Sequence, residues 1–523
     1  MAGFSVKRGI LNCSVVLTGV LAFLLLPSSF AIAQAPSASQ CTNLSSIKIE
    51  DTNLLSASVV PAQGDLPSYC RVLGYVRPAI NFEVRLPMAE WNGKFYMAGC
   101  GGFCGKLESD RPRFTNAMNY GLRRNYAAAV TDSGHWGTGA TDGRWACNNR
   151  LAEIDWGYRA ITETTRVAKV IVKAFYQKAP TKSYFAGCST GGRMAMMEAI
   201  RFPKDFDGII SGAPALDYTG LVATWASWVV KANMDSQGKM IFDHTKLKLL
   251  TDAVYAACDS LDGLADGIIN DPSKCTFEPS SLKCSGEPRP DCLTPAQVQT
   301  LEKFYQGAVD SSGKRLYPGG YPKGSEPYWP LWVIGDGKAP GLGPLFNADF
   351  LRCMAFEVDP GDSYNPLSFD FDRDPQKLQF MGRIYNATNP DLSRFKEVGG
   401  KVIMYHGLAD SIVTPQLTID YYNQVIEKMG GLDPTQSFFR LFLIPGMDHC
   451  SILPGRGPDT FDVLKALEDW VEKGIAPDQM IATQLDKEGK VMRSRPVCLY
   501  PKAVKYKGSG NPDDAASFSC ENP

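Results

Sequence analysis

The sequence predicts an α/β fold in which a large segment interrupts a parallel sheet. Between residues 126 and 211, short apolar runs suited to buried strands alternate with stretches whose apolar residues recur at helical spacing. This alternation favours a parallel sheet covered by helices on both faces. It stops over residues 216–395, which are rich in Pro, Gly, Asp, Trp and Cys, and resumes at residue 401. We therefore expect a first core part over 34–215, an inserted domain over 216–395 and a second core part over 396–523.

Each expected core element has a local pattern that supports it. Apolar and polar residues alternate over 82–86, and a Trp-Asn-Gly-Lys turn precedes the strand expected at 95–97. Further strands are expected at 126–130, 183–186, 208–211, 401–405 and 439–444, and helices at 155–176, 193–200 and 460–473. Residues 34–70 and the tail from Asp478 are expected to be irregular and held by cysteines.

The composition excludes several classes of protein. The chain of 523 residues carries 54 Lys and Arg against 55 Asp and Glu, which gives a net charge of -1. Such a balance gives no electrostatic reason to expect a nucleic acid or an anionic membrane surface as partner. Hydrophobic residues make up 44% of the chain, so most of it can fold around a large core rather than stay disordered.

The N-terminus is typical of a secretory signal peptide over residues 1–33. A basic pair, Lys7 and Arg8, precedes an apolar run, and residues 31–33 have the A-x-A form of a cleavage site. An uncleaved membrane anchor is the alternative, and it is disfavoured because Asn12 interrupts a run that is already short for a membrane span. We expect a secreted or periplasmic protein that does not contact the membrane after cleavage.

Cysteine usage points to the same oxidising compartment. The chain has 15 cysteines, and without Cys13 of the signal peptide their number is even, which is compatible with complete pairing. Metal ligation is the competing interpretation, but the chain has only 4 His and no recurring C-x-x-C. Short separations suggest the pairs Cys41–Cys70, Cys258–Cys275, Cys284–Cys292 and Cys498–Cys520, although spacing alone does not prove connectivity. The pairing of Cys100, Cys104, Cys147 and Cys353 stays open.

A candidate nucleophile lies between an expected strand and an expected helix. Residues 187–191 fit the motif G-x-S-x-G with Ser189 at its centre. The glycines permit the sharp turn of a nucleophile elbow, which raises the serine above the sheet of an α/β-hydrolase. The helix start adds N–H groups and the positive end of a dipole. The alternative is a chance match in a Gly-rich chain, and the flanking strand and helix argue against it.

A candidate acid and a candidate base follow later expected strands. Asp410 comes shortly after the strand at 401–405, and His449 lies on the loop after the strand at 439–444. Ser189, Asp410 and His449 follow one another in the order of a catalytic triad on this fold. Alone, Asp410 could cap a turn and His449 could be a surface-loop histidine. However, no other histidine follows the acid.

Two cysteines adjoin the candidate serine and histidine. Cys188 precedes Ser189 and Cys450 follows His449, so the two cysteines should lie close together if the serine and the histidine touch. A disulfide between them would clamp nucleophile to base and close a loop of about 260 residues. This arrangement of Cys-Ser, Asp and His-Cys is much more specific than G-x-S-x-G alone.

These motifs resemble those of the tannase and feruloyl esterase family. The resemblance rests on residues 187–193, 406–410 and 448–450 and extends over most of the chain, from about 41 to 520. The family shares the clamped triad and includes an enzyme that cleaves mono(2-hydroxyethyl) terephthalate. The resemblance implies an α/β-hydrolase core with an inserted lid. It also implies a serine carboxylesterase for esters of aromatic acids, such as feruloyl, caffeoyl or galloyl esters, that needs no organic cofactor.

An acidic loop in the expected lid is a candidate calcium site. Asp259, Asp262 and Asp266 supply hard oxygen ligands of the kind that Ca²⁺ prefers, although their spacing is not that of an EF-hand. A solvated acidic turn is the alternative from the spacing alone. The family carries a structural calcium at a matching loop, so the resemblance implies the carbonyls of Leu264 and Ile268 as further ligands and no part in bond cleavage.

Backbone N–H groups are expected to hold the oxyanion of the tetrahedral intermediate. One is the N–H of Thr190, the residue after the nucleophile. The other comes from the loop at 99–102, from either Gly101 or Gly102, and the choice between these glycines stays open.

The sequence says less about the acyl part of the substrate than about the catalytic residues. Family members that cleave the terephthalate monoester use a Glu directly after the serine, where Thr190 stands here, and Arg352 is only a candidate for their carboxylate-gripping arginine. A hydrolase of other aryl esters, an acyltransferase and an inactive binding protein are the alternatives. Aromatic residues of the lid could stack an aryl ring or form the lid's own core: Trp329, Trp332, Phe346, Phe350 and Phe356.

Overall fold

A nine-stranded sheet forms the centre of the protein. The computed structural model describes residues 36–108, 110 and 117–522, so the expected signal peptide lies outside the described residues. The strands are β1 (Thr52–Val60), β2 (Tyr69–Val76), β3 (Ile80–Pro87), β4 (Lys94–Ala98), β5 (Ala127–Thr131), β6 (Lys182–Cys188), β7 (Gly208–Gly212), β8 (Lys401–Gly407) and β9 (Phe439–Ile444). Their spatial order is β1-β2-β3-β5-β4-β6-β7-β8-β9. In this order, the neighbouring pairs β1–β2, β2–β3 and β3–β5 are antiparallel. All the later pairs, from β5–β4 to β8–β9, are parallel.

Helices cover both faces of this sheet, as the sequence predicted. Successive strand residues point to opposite faces, so Phe185 joins a cluster with Val167 and Met194, whereas Tyr184 joins a second cluster with Leu467. The α/β-hydrolase fold is thereby supported by the layers as well as by the strand order. The helices are α1 (Ala38–Asn43), α2 (Met118–Leu122), α3 (Arg150–Ile154), α4 (Ala160–Tyr176), α5 (Thr190–Arg201), α6 (Ala226–Ala232), α7 (Leu247–Cys258), α8 (Pro295–Gln306), α9 (Trp329–Trp332), α10 (Leu342–Cys353), α11 (Asp374–Lys377), α12 (Gln379–Tyr385), α13 (Ser393–Glu397), α14 (Pro415–Lys428), α15 (Leu432–Gln436) and α16 (Val463–Lys473). Single π-helical turns lie at Asp155–Arg159 and Gly220–Trp225.

The segment between β7 and β8 is built from helices and loops. All of residues 213–400 are described, and they add no strand to the nine-stranded sheet. The ring of buried Trp329 packs against Phe304 and Tyr321, so this segment, which we call the lid, has an aromatic core of its own. Among the described residues, no helix is long and apolar enough to cross a membrane.

The expectation of irregular structure at both ends of the core is wrong. Residues 34–70 contain β1, and the tail forms two antiparallel hairpins, β10 (Gln479–Leu485) with β11 (Val491–Cys498) and β12 (Ala503–Tyr506) with β13 (Phe518–Glu521). Strand β1 escaped the sequence analysis because it lies at the sheet edge and is exposed or half-buried throughout. It therefore lacks the alternation of apolar and polar residues that marks a half-buried strand.

Candidate active site

Ser189 occupies a strained turn between β6 and α5. Its backbone has φ 65° and ψ −124°, a conformation that L-residues rarely adopt and that costs about 1–3 kcal/mol. The neighbouring glycines are required by close approach, since a Cβ on Gly187 would lie 2.3 Å from the carbonyl oxygen of Gly191, and one on Gly192 would lie 2.3 Å from that of Gly212. The motif therefore forms the nucleophile elbow that its sequence context predicted.

Asp410 lies just after β8 and is completely buried. One carboxylate oxygen accepts the backbone N–H groups of Ile412 and Val413, both at 2.9 Å. The other accepts from Nδ1 of His449 at 2.6 Å and from Nε2 of His406 at 3.2 Å. Burial raises the pKa of this carboxyl, but the charge of His449 and the hydrogen bond from His406 outweigh it and lower the pKa to about 2. Asp410 is thus ionised at neutral pH.

His406 was not assigned a role by the sequence analysis, and it supports the acid. Its Nε2 also lies 2.8 Å from the carbonyl oxygen of Val413, and both neighbours of this nitrogen are acceptors. Nε2 therefore carries the proton, and Nδ1 accepts from the hydroxyl of Thr418 at 2.7 Å. Its spacing of four residues from Asp410 was visible in the sequence.

His449 is buried on the turn that follows β9, with its Nδ1 directed at Asp410. Because an ionised carboxylate only accepts, Nδ1 carries a proton, so in the neutral form of the ring it is Nε2 that has the lone pair. The next residue, Cys450, is bonded to Cys188 with a Cα–Cα distance of 6.0 Å. The disulfide therefore brings the turn of Ser189 and the turn of His449 together, as the sequence predicted.

The structure distinguishes between the two glycines of the expected oxyanion loop. Gly102 lines the same cleft as Ser189 and Thr190, whereas Gly101 lines a separate depression. The hydroxyl of Thr190 donates to the carbonyl oxygen of Gly102 at 2.7 Å, which ties the loop to the start of α5. The N–H of Phe103 is engaged by the carbonyl oxygen of Ala140 at 2.7 Å. This geometry favours Gly102 as the second donor.

Six further disulfides lie in the described part of the chain. The pairs Cys41–Cys70, Cys258–Cys275, Cys284–Cys292 and Cys498–Cys520 are present as the short separations suggested. The pairing that the sequence left open is Cys100–Cys104 and Cys147–Cys353. The first encloses Gly101 and Gly102, and the second joins the core to the lid across 206 residues of chain.

A cleft opens at Ser189. Apart from Ser189 and Thr190, its lining side chains are apolar or aromatic, and none of those described is charged. Of the five lid aromatics named from the sequence, Trp332 and Phe346 line the cleft, whereas Trp329, Phe350 and Phe356 do not. The lining that the sequence analysis missed comes largely from residues 215–230, which include the second π-helical turn: Ala215, Tyr218, Leu221, Val222, Trp225, Ala226, Val229 and Val230.

Arg352 does not reach the cleft. It lies near the end of α10, and its Nε donates to the carbonyl oxygen of Tyr364 at 3.4 Å. It is absent from the described lining of the cleft. The structure therefore gives no support to Arg352 as a residue that grips a substrate carboxylate.

Protein donors contact all three carboxylates of the acidic loop. Asp259 accepts the backbone N–H groups of Gly267 and Ile268 at 3.0 and 3.1 Å. Asp266 accepts the N–H of Ile268 at 3.1 Å and pairs with Arg495 at 2.6 Å. Cys258, the last residue of α7, is bonded to Cys275, and this disulfide braces the same loop.

Asp262 is the third carboxylate of this loop. It accepts the N–H of Leu264 at 3.0 Å and makes a short contact with the amide of Asn270. Burial raises its pKa, and the charges of Asp266 and Asp259 raise it further. Hard oxygens that repel one another fit a divalent cation. Within the described part of the chain, however, no group of three or more His, Cys, Asp or Glu side chains is arranged to hold a metal. The calcium site stays a prediction.

Comparison with known proteins identifies the family. The family model described as tannase and feruloyl esterase matches residues 65–521. The chain belongs to the tannase and feruloyl esterase family. The predicted membership is confirmed, and the protein is a carboxylic-ester hydrolase.

Relatives and solved structures agree with this assignment. An uncharacterised esterase of Xanthomonas campestris pv. campestris is 35% identical, over 94% of this chain and 92% of its own. The mono(2-hydroxyethyl) terephthalate hydrolase of Piscinibacter sakaiensis is 34% identical, over 90% and 87%. The crystal structure of feruloyl esterase B from Aspergillus oryzae superimposes with a TM-score of 0.81 at 29% identity, over 92% of this chain and 100% of that one. The predicted α/β-hydrolase fold is confirmed.

Proposed function

We propose that this esterase hydrolyses esters of aromatic acids whose acyl group carries no charge, such as feruloyl, caffeoyl or galloyl esters. The observation that carries the proposal is the cleft at Ser189, which is lined by aromatic and aliphatic side chains with no charged side chain among those described. An aryl ring can be buried against Tyr218, Trp225 and Phe346 with little desolvation cost.

The reaction proceeds through an acyl-enzyme on Ser189. His449 takes the serine proton at Nε2 while Asp410, ionised and fully buried, orients the imidazole and stabilises its protonated form. The serine oxygen attacks the ester carbonyl, and the backbone N–H groups of Thr190 and Gly102 stabilise the oxyanion, each by about 3 kcal/mol. His449 then protonates the leaving alcohol, and water releases the acid by the same steps with the roles reversed.

A terephthalate monoester is the second candidate substrate, because a relative of 34% identity is named for that activity. The structure disfavours it as the main substrate. Its free carboxylate would be buried in a cleft whose described lining offers no cation, and Arg352 is turned to Tyr364. We expect slow turnover of this ester at most.

Two further properties belong to the proposal. The acidic loop binds a structural Ca²⁺ through Asp259, Asp262 and Asp266 together with the carbonyls of Leu264 and Ile268. When bound, the ion neutralises the loop's charge and takes no part in ester cleavage. The protein is exported, which the signal-like N-terminus and the disulfides support.

The test is a comparison of initial hydrolysis rates for the mature protein and its Ser189→Ala variant. The substrates are methyl ferulate, methyl caffeate, methyl gallate, chlorogenic acid, mono(2-hydroxyethyl) terephthalate and p-nitrophenyl acetate. We expect a strong preference for one phenolic ester that is lost in the variant. Turnover of the p-nitrophenyl ester alone would contradict the proposal that the substrate is a phenolic ester. Turnover that survives in the variant would contradict the proposed role of Ser189 as nucleophile.

A further inference from the structure

One lid residue contacts the loop that carries His449 at two points. Nε1 of Trp332 donates to the carboxylate of Asp448 at 3.1 Å. The ring of Trp332 also meets the imidazole of His449 edge-on, with centroids 5.3 Å apart and planes at 84°. The same side chain lines the substrate cleft. Trp332 thus touches the catalytic base, its neighbour in sequence and the space for the substrate.

Asp448 has a clear need for this donor. It directly precedes His449 and is completely buried, and a buried carboxyl without hydrogen-bond partners is costly. Burial and the charge of Asp410 together raise its pKa to about 7, so its negative charge is poorly accommodated and the indole N–H helps to stabilise it. A backbone hydrogen bond from His449 also lowers the pKa of this carboxyl, so the indole N–H is the donor that the lid supplies. Losing it would weaken the hold on Asp448 and on the adjoining histidine.

A second lid residue holds the same loop at its two ends. The hydroxyl of Tyr328 donates to the carbonyl oxygen of Gly446 at 3.1 Å and accepts the N–H of Arg456 at 2.9 Å. Tyr328 and Trp332 belong to one short stretch of the lid, in which Trp329 is anchored by a hydrogen bond to Ser325 at 3.0 Å. The loop around His449 is therefore fixed from the lid side at its ends and at its centre.

We propose that Trp332 and Asp448 are positioning residues that hold the imidazole of His449 in its catalytic orientation. The lid then contributes to the rate of the chemical steps as well as to substrate binding. This inference rests on the proposed role of His449 as general base. It differs from a plain binding role for Trp332, which would act through contact with the aryl ring alone.

The experiment separates these two roles by removing the N–H and keeping a ring. We expect Trp332→Phe to lower kcat about tenfold on methyl ferulate and by a similar factor on p-nitrophenyl acetate, whose acyl group has no ring. Asp448→Asn keeps an acceptor for the indole and should retain most of kcat, whereas Asp448→Ala should lose as much as Trp332→Phe. The double variant Trp332→Phe/Asp448→Ala should be no worse than either single change, because both remove the same link.

Controls keep the result interpretable. Trp228 also lies in the lid, and its Nε1 donates to the carbonyl oxygen of Lys303 at 2.9 Å. It is not among the described residues that line the cleft. Trp228→Phe should leave kcat unchanged on both esters. Titration with a serine-directed fluorophosphonate gives the fraction of intact sites for each variant. A change in KM for methyl ferulate alone, or additive losses in the double variant, would overturn the inference. Absence of Ser189-dependent turnover in the wild type would instead overturn the proposed function.

Discussion

The disulfide between Cys188 and Cys450 should stabilise the fold and position the triad. The two cysteines are 262 residues apart in sequence, but Cys147–Cys353 already links the same stretch of chain. The shortest closed path through that second bridge contains about 140 residues, for which loop-closure entropy gives about 5 kcal/mol at 25 °C. Since whole domains are stable by about 5–15 kcal/mol, the loss would be a large fraction of the total.

The change to make is Cys188→Ala together with Cys450→Ala. Guanidinium unfolding followed by tryptophan fluorescence measures the lost free energy from the midpoint and slope. We also expect kcat for methyl ferulate to fall at least tenfold at low temperature, where the variant is still folded, because small displacements of the catalytic groups are costly. Fluorophosphonate titration corrects kcat for unfolded protein.

The matched control removes Cys284 and Cys292, which are 8 residues apart in the lid. The same entropy relation gives about 2.5 kcal/mol for this short loop, and kcat should stay unchanged because neither cysteine lines the cleft. The free energy of unfolding of the Cys188 and Cys450 variant could instead lie within about 1 kcal/mol of the wild-type value, with kcat unchanged. The disulfide would then neither stabilise the fold nor position the triad.

Four further predictions test the site and the loop. Asp410→Asn should lower kcat/KM for methyl ferulate by roughly 10⁴, since an amide nitrogen facing His449 favours the wrong tautomer, and retention of a tenth of the activity would contradict this. The Asp410 carboxyl has a folded pKa of about 2, below its unfolded value, so its contribution of about 2.5 kcal/mol is present above pH 4 and lost as the pH falls towards 2. The difference in unfolding free energy between wild type and Asp410→Asn across pH 2–5 measures it, and a difference that does not change with pH would refute it. Phe346→Arg should lower KM for mono(2-hydroxyethyl) terephthalate and raise it for methyl ferulate, because a guanidinium in the cleft wall pairs with the free carboxylate. If KM changes in the same direction for both esters, the cleft does not select for an uncharged acyl group. EDTA should lower the Tm of the wild type by several degrees and CaCl₂ should restore it, whereas neither should change the Tm of Asp262→Ala. A wild-type Tm that EDTA does not change would contradict the proposed calcium site.

Local sequence determined where the candidate triad lies. Ser189, Asp410 and His449 each follow a strand of the parallel sheet, and the carboxyl ends of such strands meet at one edge. Strand and helix patterns are local in sequence, so the order of these motifs was enough to predict the fold. The disulfide was predicted because Cys188 and Cys450 adjoin Ser189 and His449, the candidate nucleophile and base, and the structure contains it.

Tertiary structure decided what depends on contacts between distant segments. The preference for Gly102 over Gly101 as the candidate donor follows from which glycine lines the cleft at Ser189. The pairing of Cys147 with Cys353 spans 206 residues, a separation at which spacing carries no information. The lining of the cleft depends on how the lid folds back over the sheet.

The same reason explains why the link between Trp332 and Asp448 was not foreseen. Trp332 was noted as one of several lid aromatics, and Asp448 only as part of the motif around His449. Neither has a neighbour in sequence that reveals the other, since 116 residues separate them. A buried carboxyl needs a donor, but sequence alone does not say which segment supplies it. Packing of the lid against the catalytic loop makes that choice.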